Sequence, residues 1–206
     1  MKKKGVSITL LVVLAVVAVL AIVGFSQYNG MVTMDEQVNT GWANVENQYQ
    51  RRLDLIPNLV ASVKGYAQHE QETYVGLAEA RSGLQKAYDN AQSVSSDQAI
   101  TDEASMAQFQ QAQQKLQSAL GIYVNAVHEA YPELKADKTF LDLMTQLEGT
   151  ENRIAAERTR YNQLGNDNNI KIRRFPGALF ATMFGFEKRA QFRAEAGAES
   201  APKVEF

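Results

Sequence analysis

Apolar residues recur along most of the chain in alternating steps of three and four positions, which is the spacing of one face of an α-helix. One such stripe runs over residues 31–90, a second over 106–130 and a third over 140–161. Short segments that are polar or contain proline separate the three stripes. No stretch alternates in steps of two, as a half-buried strand would. The pattern therefore predicts an all-α fold, with a bundle of long, mainly antiparallel helices over residues 31–174.

The N-terminal part has a different pattern. Residues 6–25 form an uncharged apolar run of 20 residues, which as a helix spans roughly 30 Å, the thickness of the bilayer core. A cleaved signal peptide is the alternative, because lysines occupy positions 2–4. The run is longer than the usual ~7–15 residues of a signal peptide, and no A-x-A cleavage pattern follows it. We therefore expect an uncleaved transmembrane helix, preceding the bundle, that binds the lipid bilayer.

The charges beside this helix predict its orientation. Three lysines precede it, and the first charged residues after it are Asp35 and Glu36. Positive flanks stay in the cytoplasm. Residues 1–5 are accordingly expected there, with the main domain on the other side of the membrane.

Pro57 leaves the path of the first stripe open. A proline inside a helix removes a hydrogen bond and costs about 3 kcal/mol unless the chain bends. If the chain reverses at Pro57, residues 31–56 form the first of four helices in an up-and-down bundle. If the helix only kinks there, helices 1 and 2 join into one long stalk. The continuous stripe favours the kink, whereas Asp54 and Asn58 are compatible with a turn.

Composition excludes several kinds of chemistry. With 21 Lys and Arg against 23 Asp and Glu, the chain has no basic excess for nucleic acid. Cysteine is absent, and the histidines are His69 and His128 alone. A di-iron bundle needs Glu-x-x-His motifs, but Tyr66 and Asn125 occupy the positions three residues before the histidines. Zinc-protease, phosphate-loop and serine-elbow motifs are also missing. We therefore expect no catalytic, cofactor-binding or metal-binding residues.

Polar residues interrupt the apolar stripes at five positions. Matching helix levels across the two connections places Arg81 beside Gln113 and Glu151, and predicts a buried layer in which Arg81 pairs with Glu151. One interpretation is an acid–base or ion site, and the other is a structural ion pair that fixes helix register. The structural interpretation is favoured because arginine does not titrate near neutral pH. The predicted layer consists of Glu70, Arg81, Gln113, Glu151 and Arg158.

Residues 175–192 form an apolar hook after the last long helix. Pro176 and Gly177 separate the hook from that helix, and it is too short to span a bilayer. The density of apolar residues predicts an oligomer or membrane contact, and capping of its own bundle is the alternative. A reversal at Pro57 would return the hook to the membrane, whereas a kink would place it at the far end of the bundle; a protein contact is expected in either case. Residues 193–206 are small and polar, and are expected to be disordered. The contact residues are Phe175, Leu179, Phe180, Met183, Phe184 and Phe186.

Three ordered motifs resemble those of one known family. They are W-A-N-V at residues 42–45, R-R-x-D-L-I-P-N-L-V at 51–60 and L-E-G-T-E-N-R-I-A at 147–155. Together they resemble the LemA family over essentially the whole chain. The resemblance implies a bacterial protein with one N-terminal span and an antiparallel four-helix domain, and it implies no reaction or cofactor. Residues 165–169 (GNDNN) depart from the family pattern, and we expect helix 4 to fray or end there.

The expected function combines an anchor, a helical domain and no recognisable chemistry. The first hypothesis is a membrane-anchored, non-enzymatic scaffold that forms homo-oligomers or docks other envelope proteins. The alternative is an adaptor or sensor subunit of a membrane protease or signalling system. The expected location is the bacterial cytoplasmic membrane, with the N-terminus inside and the main domain outside.

Overall fold

A computed structural model describes residues 2–67, 74–94, 96 and 98–194. These residues contain no strand and five α-helices, so the all-α prediction is confirmed. A short 3-10 helix, Pro132–Ala136, links the third and fourth helices. The α-helices are α1 (Lys2–Ala67), α2 (Val75–Ser93), α3 (Glu103–Ala130), α4 (Lys138–Arg173) and α5 (Gly177–Phe184).

The chain divides into two compact units. The first, here called the anchor unit, contains the residues up to Thr40 together with Gln163–Arg189. The second, the bundle unit, contains Gly41–Asn162 and the residues from Ala190 on. Helices α1 and α4 therefore each contribute a segment to both units.

The bundle unit is a four-helix bundle made from the second part of α1, α2, α3 and the first part of α4. Trp42 packs against Phe109 of α3 and Tyr161 of α4, at ring distances of 5.4 and 5.2 Å. Ten residues further along α1, Arg52 contacts Gln113 and Glu151. Because the α3 partner number rises while the α4 partner number falls, α1 runs parallel to α3 and antiparallel to α4.

Helix α2 completes the up-and-down arrangement. Tyr74, just before α2, meets Tyr131, just after α3, at a ring distance of 5.6 Å. The start of α2 therefore lies beside the end of α3, and these two helices are antiparallel. All four helices bury apolar side chains in one core, among them Leu59, Leu84, Leu116 and Phe140.

Acidic side chains fix where α3 and α4 begin. The backbone N–H of Ser105 donates to the Asp102 carboxylate at 2.7 Å, and that of Phe140 donates to Asp137 at 2.8 Å. These bonds satisfy amides that have no partner within the first turn of a helix. The hydrogen bonds from Ser105 also hold the pKa of Asp102 below its ordinary value.

The chain does not reverse at Pro57. Helix α1 continues through it to Ala67, and α2 begins at Val75, so of the two alternatives left open the turn at Pro57 is excluded. A single stalk joining helices 1 and 2 up to residue 90 is also wrong, because α1 and α2 are separate helices. Pro57 itself is exposed, whereas Ile56 just before it and Leu59 two residues after it are buried. Burial on both sides of the proline holds the helix straight enough to continue.

Helix α4 also continues through residues 165–169, so the predicted fraying is wrong. The side-chain amide of Asn169 donates to the backbone carbonyl of Arg189, and the backbone N–H of Arg189 donates back to Asn169. Asn168 is buried. Asn169 therefore has hydrogen-bond partners and Asn168 has a buried position, and the sequence pattern reveals neither.

The anchor unit is organised around the first part of α1. Large apolar side chains are exposed along residues 8–25. Among the described residues, α1 is the one helix long and apolar enough to cross a membrane. An exposed apolar surface of this length is stable in lipid and costly in water.

Helix α5 packs on α1 just where the apolar segment ends. A Cβ atom on Gly24 would lie 3.3 Å from the Phe180 ring, so the ring lies directly on the α1 backbone there. Tyr28 meets Phe184 edge to face at 4.9 Å. A helix that continues through Pro57 was expected to place the hook at the far end of the bundle. The hook instead packs beside the end of the apolar segment, so this expectation is wrong. The buried residues of this small core are Met31, Ile172 and Ala181.

Candidate functional site

The centre of the bundle unit contains a buried arginine, Arg52. Its Nη1 donates to both carboxylate oxygens of Glu151, at 3.0 and 3.3 Å. Its Nη2 donates to the side-chain oxygen of Gln113 at 2.5 Å and to the Gln113 backbone carbonyl at 3.3 Å. The Arg52 side chain is 2 % exposed and that of Glu151 is 26 % exposed. One guanidinium thus connects α1, α3 and α4.

Tyr49 lies one helical turn before Arg52 and belongs to the same cluster. The Arg52 guanidinium lies 5.1 Å from the centre of the Tyr49 ring. Burial raises the pKa of the Tyr49 hydroxyl, although the nearby charges of Arg158 and Arg52 act in the opposite direction. The hydroxyl therefore stays protonated near neutral pH and is not a general base.

The structure brings together only part of the predicted polar layer. Gln113 and Glu151 lie together as predicted, but Arg52 pairs with Glu151 in place of Arg81. Arg81 is exposed and lies close enough to Tyr123 for its charge to affect that hydroxyl. The predicted Arg81–Glu151 pair is therefore wrong. The physical cause is the offset between α2 and α3: Tyr74 meets Tyr131, so Arg81 lies level with Tyr123, ten residues further along α3 than Gln113.

The other two predicted layer residues differ in outcome. Arg158 is half-buried, and its guanidinium lies 4.5 Å from the centre of the Phe192 ring. It therefore stacks on an aromatic ring near the cluster of Tyr49, Arg52, Gln113 and Glu151, here called the polar cluster. Glu70 lies outside the described residues.

Arg52 was missed although the sequence carries a signal for it. It follows Tyr49 by three positions and precedes Ile56 by four, so it lies on the same helical face as these stripe residues. The adjacent Arg51, by contrast, is exposed. Counting three-residue steps from Tyr49 would have singled out Arg52.

The polar cluster has a limited chemical capacity. The carboxylate of Glu151 is already neutralised by Arg52, and arginine neither releases nor accepts protons near neutral pH. In the described part of the chain, no three His, Cys, Asp or Glu side chains lie close enough to hold a metal ion. The arrangement suits a structural tie between three helices.

A second feature of the bundle unit is an open groove between α2 and α3, with a volume of about 740 Å³. Small residues line it, including Gly76, Ala80 and Gly83. A Cβ atom added to Gly76 or Gly83 would meet no other atom within 4 Å. Val75 and Ile122 also line the groove and expose large apolar side chains. This face of the bundle therefore contains a depression with exposed apolar side chains in its lining.

The end of the described chain packs into the bundle unit. Phe192 is buried against Trp42 and Tyr161, at ring distances of 5.8 and 5.7 Å. The Asn162 side chain exchanges two hydrogen bonds of 2.9 Å with the Phe192 backbone. Arg193 pairs with Glu103, so it does not belong to a free tail. Residues 195–206, the rest of the predicted tail, lie outside the described residues.

The predicted contact residues of the hook divide into two groups. Phe180 and Phe186 pack within the anchor unit. The side chains of Phe175, Leu179, Met183 and Phe184 remain exposed.

Comparison with known proteins identifies the family. The sequence model of the LemA family matches residues 41–206, most of the chain. The chain belongs to the LemA family. The resemblance drawn from the motifs around Trp42, Pro57 and Glu151 is therefore confirmed. With its apolar N-terminal helix, this LemA-family chain is a membrane-associated helical protein.

Curated relatives include three magnetosome proteins. Magnetosome protein MamQ 1 and Magnetosome protein MamQ 2 of Paramagnetospirillum magneticum are each 29 % identical over 205 residues, which cover 93 % of this chain and 75 % of theirs. Magnetosome protein MamQ of Magnetospirillum gryphiswaldense is 27 % identical over 202 residues, with 91 % and 74 % coverage. The similarity to these relatives thus extends over nearly all of this chain.

Proposed function

We propose that this LemA-family protein is a membrane-anchored, non-enzymatic scaffold that associates with further copies of itself through the groove between α2 and α3. The observation that carries the proposal is the shape of that face. Small residues such as Gly83 leave a depression, and Val75 and Ile122 project beside it. A face with both a depression and projections can match its own copy, as a two-fold symmetric contact requires.

The polar cluster supports a role without catalysis. Its carboxylate is paired with Arg52, and Gln113 accepts from the same guanidinium. Among the described residues of this cluster, the one carboxylate is thus already engaged in an ion pair. The relatives are named as magnetosome proteins.

The proposed location is the bacterial cytoplasmic membrane, crossed once by residues 6–25. The lysines at positions 2–4 favour a cytoplasmic N-terminus, so the bundle unit is placed outside the cytoplasm. An alkaline phosphatase fusion after residue 206 should then be active. An inactive fusion, with an active cytoplasmic reporter at the same site, would reverse the orientation.

The test of self-association measures the mass of the full-length protein in detergent and in nanodiscs by light scattering. We expect a discrete oligomer. Ile122→Asp adds a charge at the groove without opening the core, because Ile122 is 62 % exposed. This variant should lower the oligomer mass, since burying an unpaired carboxylate is unfavourable.

Leu141→Asp is the matched control. Leu141 is 46 % exposed on α4 and does not line the groove, so this variant should keep the wild-type mass. A wild-type protein that is monomeric at every concentration would contradict self-association and favour an adaptor that binds a different protein. Equal loss of mass in both variants would contradict the role of the groove.

A further inference from the structure

Helix α5 has one attached face and one free face. Gly177 and Ala181 are buried on the side that meets α1. Leu179 and Met183 lie one turn apart on α5 and are 61 % and 70 % exposed, and Phe175, in the turn before the helix, is 84 % exposed. Within the described part of the chain, no other segment covers this apolar stripe.

The position of α5 along α1 is defined by contacts within the anchor unit. The Phe180 ring lies on Gly24, in the last turn of the apolar segment, and Phe184 packs on Tyr28. Since a helix rises 1.5 Å per residue, Tyr28 lies about 4.5 Å beyond Phe25 along the axis. The headgroup layer on each side of the bilayer core is roughly 5–7 Å thick. With residues 6–25 filling the core, α5 lies at the level of the headgroups.

The charges around α5 complement lipid phosphates. Arg173 and Arg174 precede the helix and Lys188 follows it, and all three are exposed. Within residues 173–188 the only acidic residue is Glu187. Exposed apolar side chains flanked by basic ones are typical of a helix that lies in the membrane surface.

We propose that α5 is a second membrane-binding element, which inserts Phe175, Leu179 and Met183 between phospholipids beside the end of the transmembrane segment. Phospholipid is a better occupant of this face than a second copy of the chain. A symmetric contact there would bring the Arg173 and Arg174 of two copies together, and like charges repel. Two attachments at one membrane surface also fix the rotation of the anchor unit about the α1 axis.

The proposal rests on membrane association and does not require self-association, so its test can fail independently of the oligomer test. The chain has no cysteine, which makes single-cysteine labelling unambiguous. Leu179→Cys and Met183→Cys change exposed side chains and should leave helicity unchanged. Each full-length variant is labelled with a polarity-sensitive fluorophore and reconstituted into phosphatidylcholine vesicles, with and without phosphatidylglycerol.

Gln37→Cys is the control, because Gln37 is exposed on α1 about 18 Å beyond Phe25. We expect lipids with a spin label near the headgroup to quench the fluorophores at 179 and 183 several-fold more than at 37. Iodide in the water should show the reverse order. Phosphatidylglycerol should increase the difference, since it adds phosphates for the basic side chains.

Two results would overturn the proposal. Fluorophores at 179 and 183 that iodide quenches as strongly as at 37 would place α5 in water. Fluorophores reached by neither quencher, together with disulfide-linked dimers of unlabelled Leu179→Cys, would show that a second copy covers this face.

Discussion

Replacing Glu151 by alanine tests the role of the Arg52 cluster. The substitution leaves a guanidinium that is 2 % exposed without the carboxylate that it contacts at 3.0 Å. Breaking a buried ion pair costs about 3–5 kcal/mol. Because the Glu151 side chain is 26 % exposed, water replaces part of the lost contact, and we expect about 3 kcal/mol. At roughly 2–4 °C per kcal/mol, the midpoint of thermal unfolding should fall by about 6–12 °C.

The assay is the unfolding of the full-length protein in detergent, followed by circular dichroism, for a double-mutant cycle. Arg52→Met removes the charge and leaves the buried Gln113 oxygen without its donor, which costs about 1–3 kcal/mol. In the double variant with Glu151→Ala, the total loss should be smaller than the sum of the single losses by at least about 1.5 kcal/mol. Arg81→Ala is the control, and this exposed position should change stability by less than about 0.5 kcal/mol.

Two results would refute the reasoning. If Arg81→Ala destabilises the protein as much as Glu151→Ala, the pairing with Arg52 does not decide the stability of the bundle. If the losses of Arg52→Met and Glu151→Ala simply add, the two side chains do not interact in solution.

Two further predictions concern buried aromatic residues. Phe192→Ala should lower the free energy of unfolding by about 3–5 kcal/mol, because it removes a ring packed between Trp42 and Tyr161. Phe175→Ala removes an exposed ring and should be neutral in the same unfolding assay. Equal effects of the two substitutions would contradict the packing role of Phe192. Burial raises the pKa of Tyr123 to about 12, so its contribution to stability should be complete below pH 10 and be lost as the pH rises towards 12. Tyr123→Phe should make this alkaline loss of stability shallower while Tyr88→Phe should not, and an unchanged pH profile for Tyr123→Phe would disprove the assignment.

The helices themselves were predictable from the sequence, because periodic burial and caps are local signals. Asp102 and Asp137 lie where the pattern places the starts of the second and third stripes, and both bond to first-turn amides. The path through Pro57 was harder to predict. A local penalty of about 3 kcal/mol competes there with the burial of Ile56 and Leu59, each contributing roughly 1.5–3 kcal/mol. Both quantities are of similar size, and only the tertiary structure decides between them.

The partner of Glu151 could not be predicted for a related reason. Which residues of two helices lie level depends on where the chain reverses between them. Tyr74 at the start of α2 meets Tyr131 at the end of α3, so Arg81 lies level with Tyr123, about 15 Å along α3 from Gln113 and its neighbour Glu151. The contacts of the hook could not be predicted in full for the same reason. Its apolar density predicts a contact, but the division into an attached and a free face follows from packing against Gly24 and Tyr28.

The packing of Phe192 also makes assembly depend on the order of synthesis. A ribosome releases residues 41–162 before it reaches the segment that covers Trp42 and Tyr161. Until then the aromatic surface stays open, and the Asn162 side chain lacks the backbone partners that Phe192 supplies. A chain interrupted before residue 190 therefore leaves the Trp42 and Tyr161 rings without Phe192, and the bundle unit is completed only after residue 192 has been synthesised.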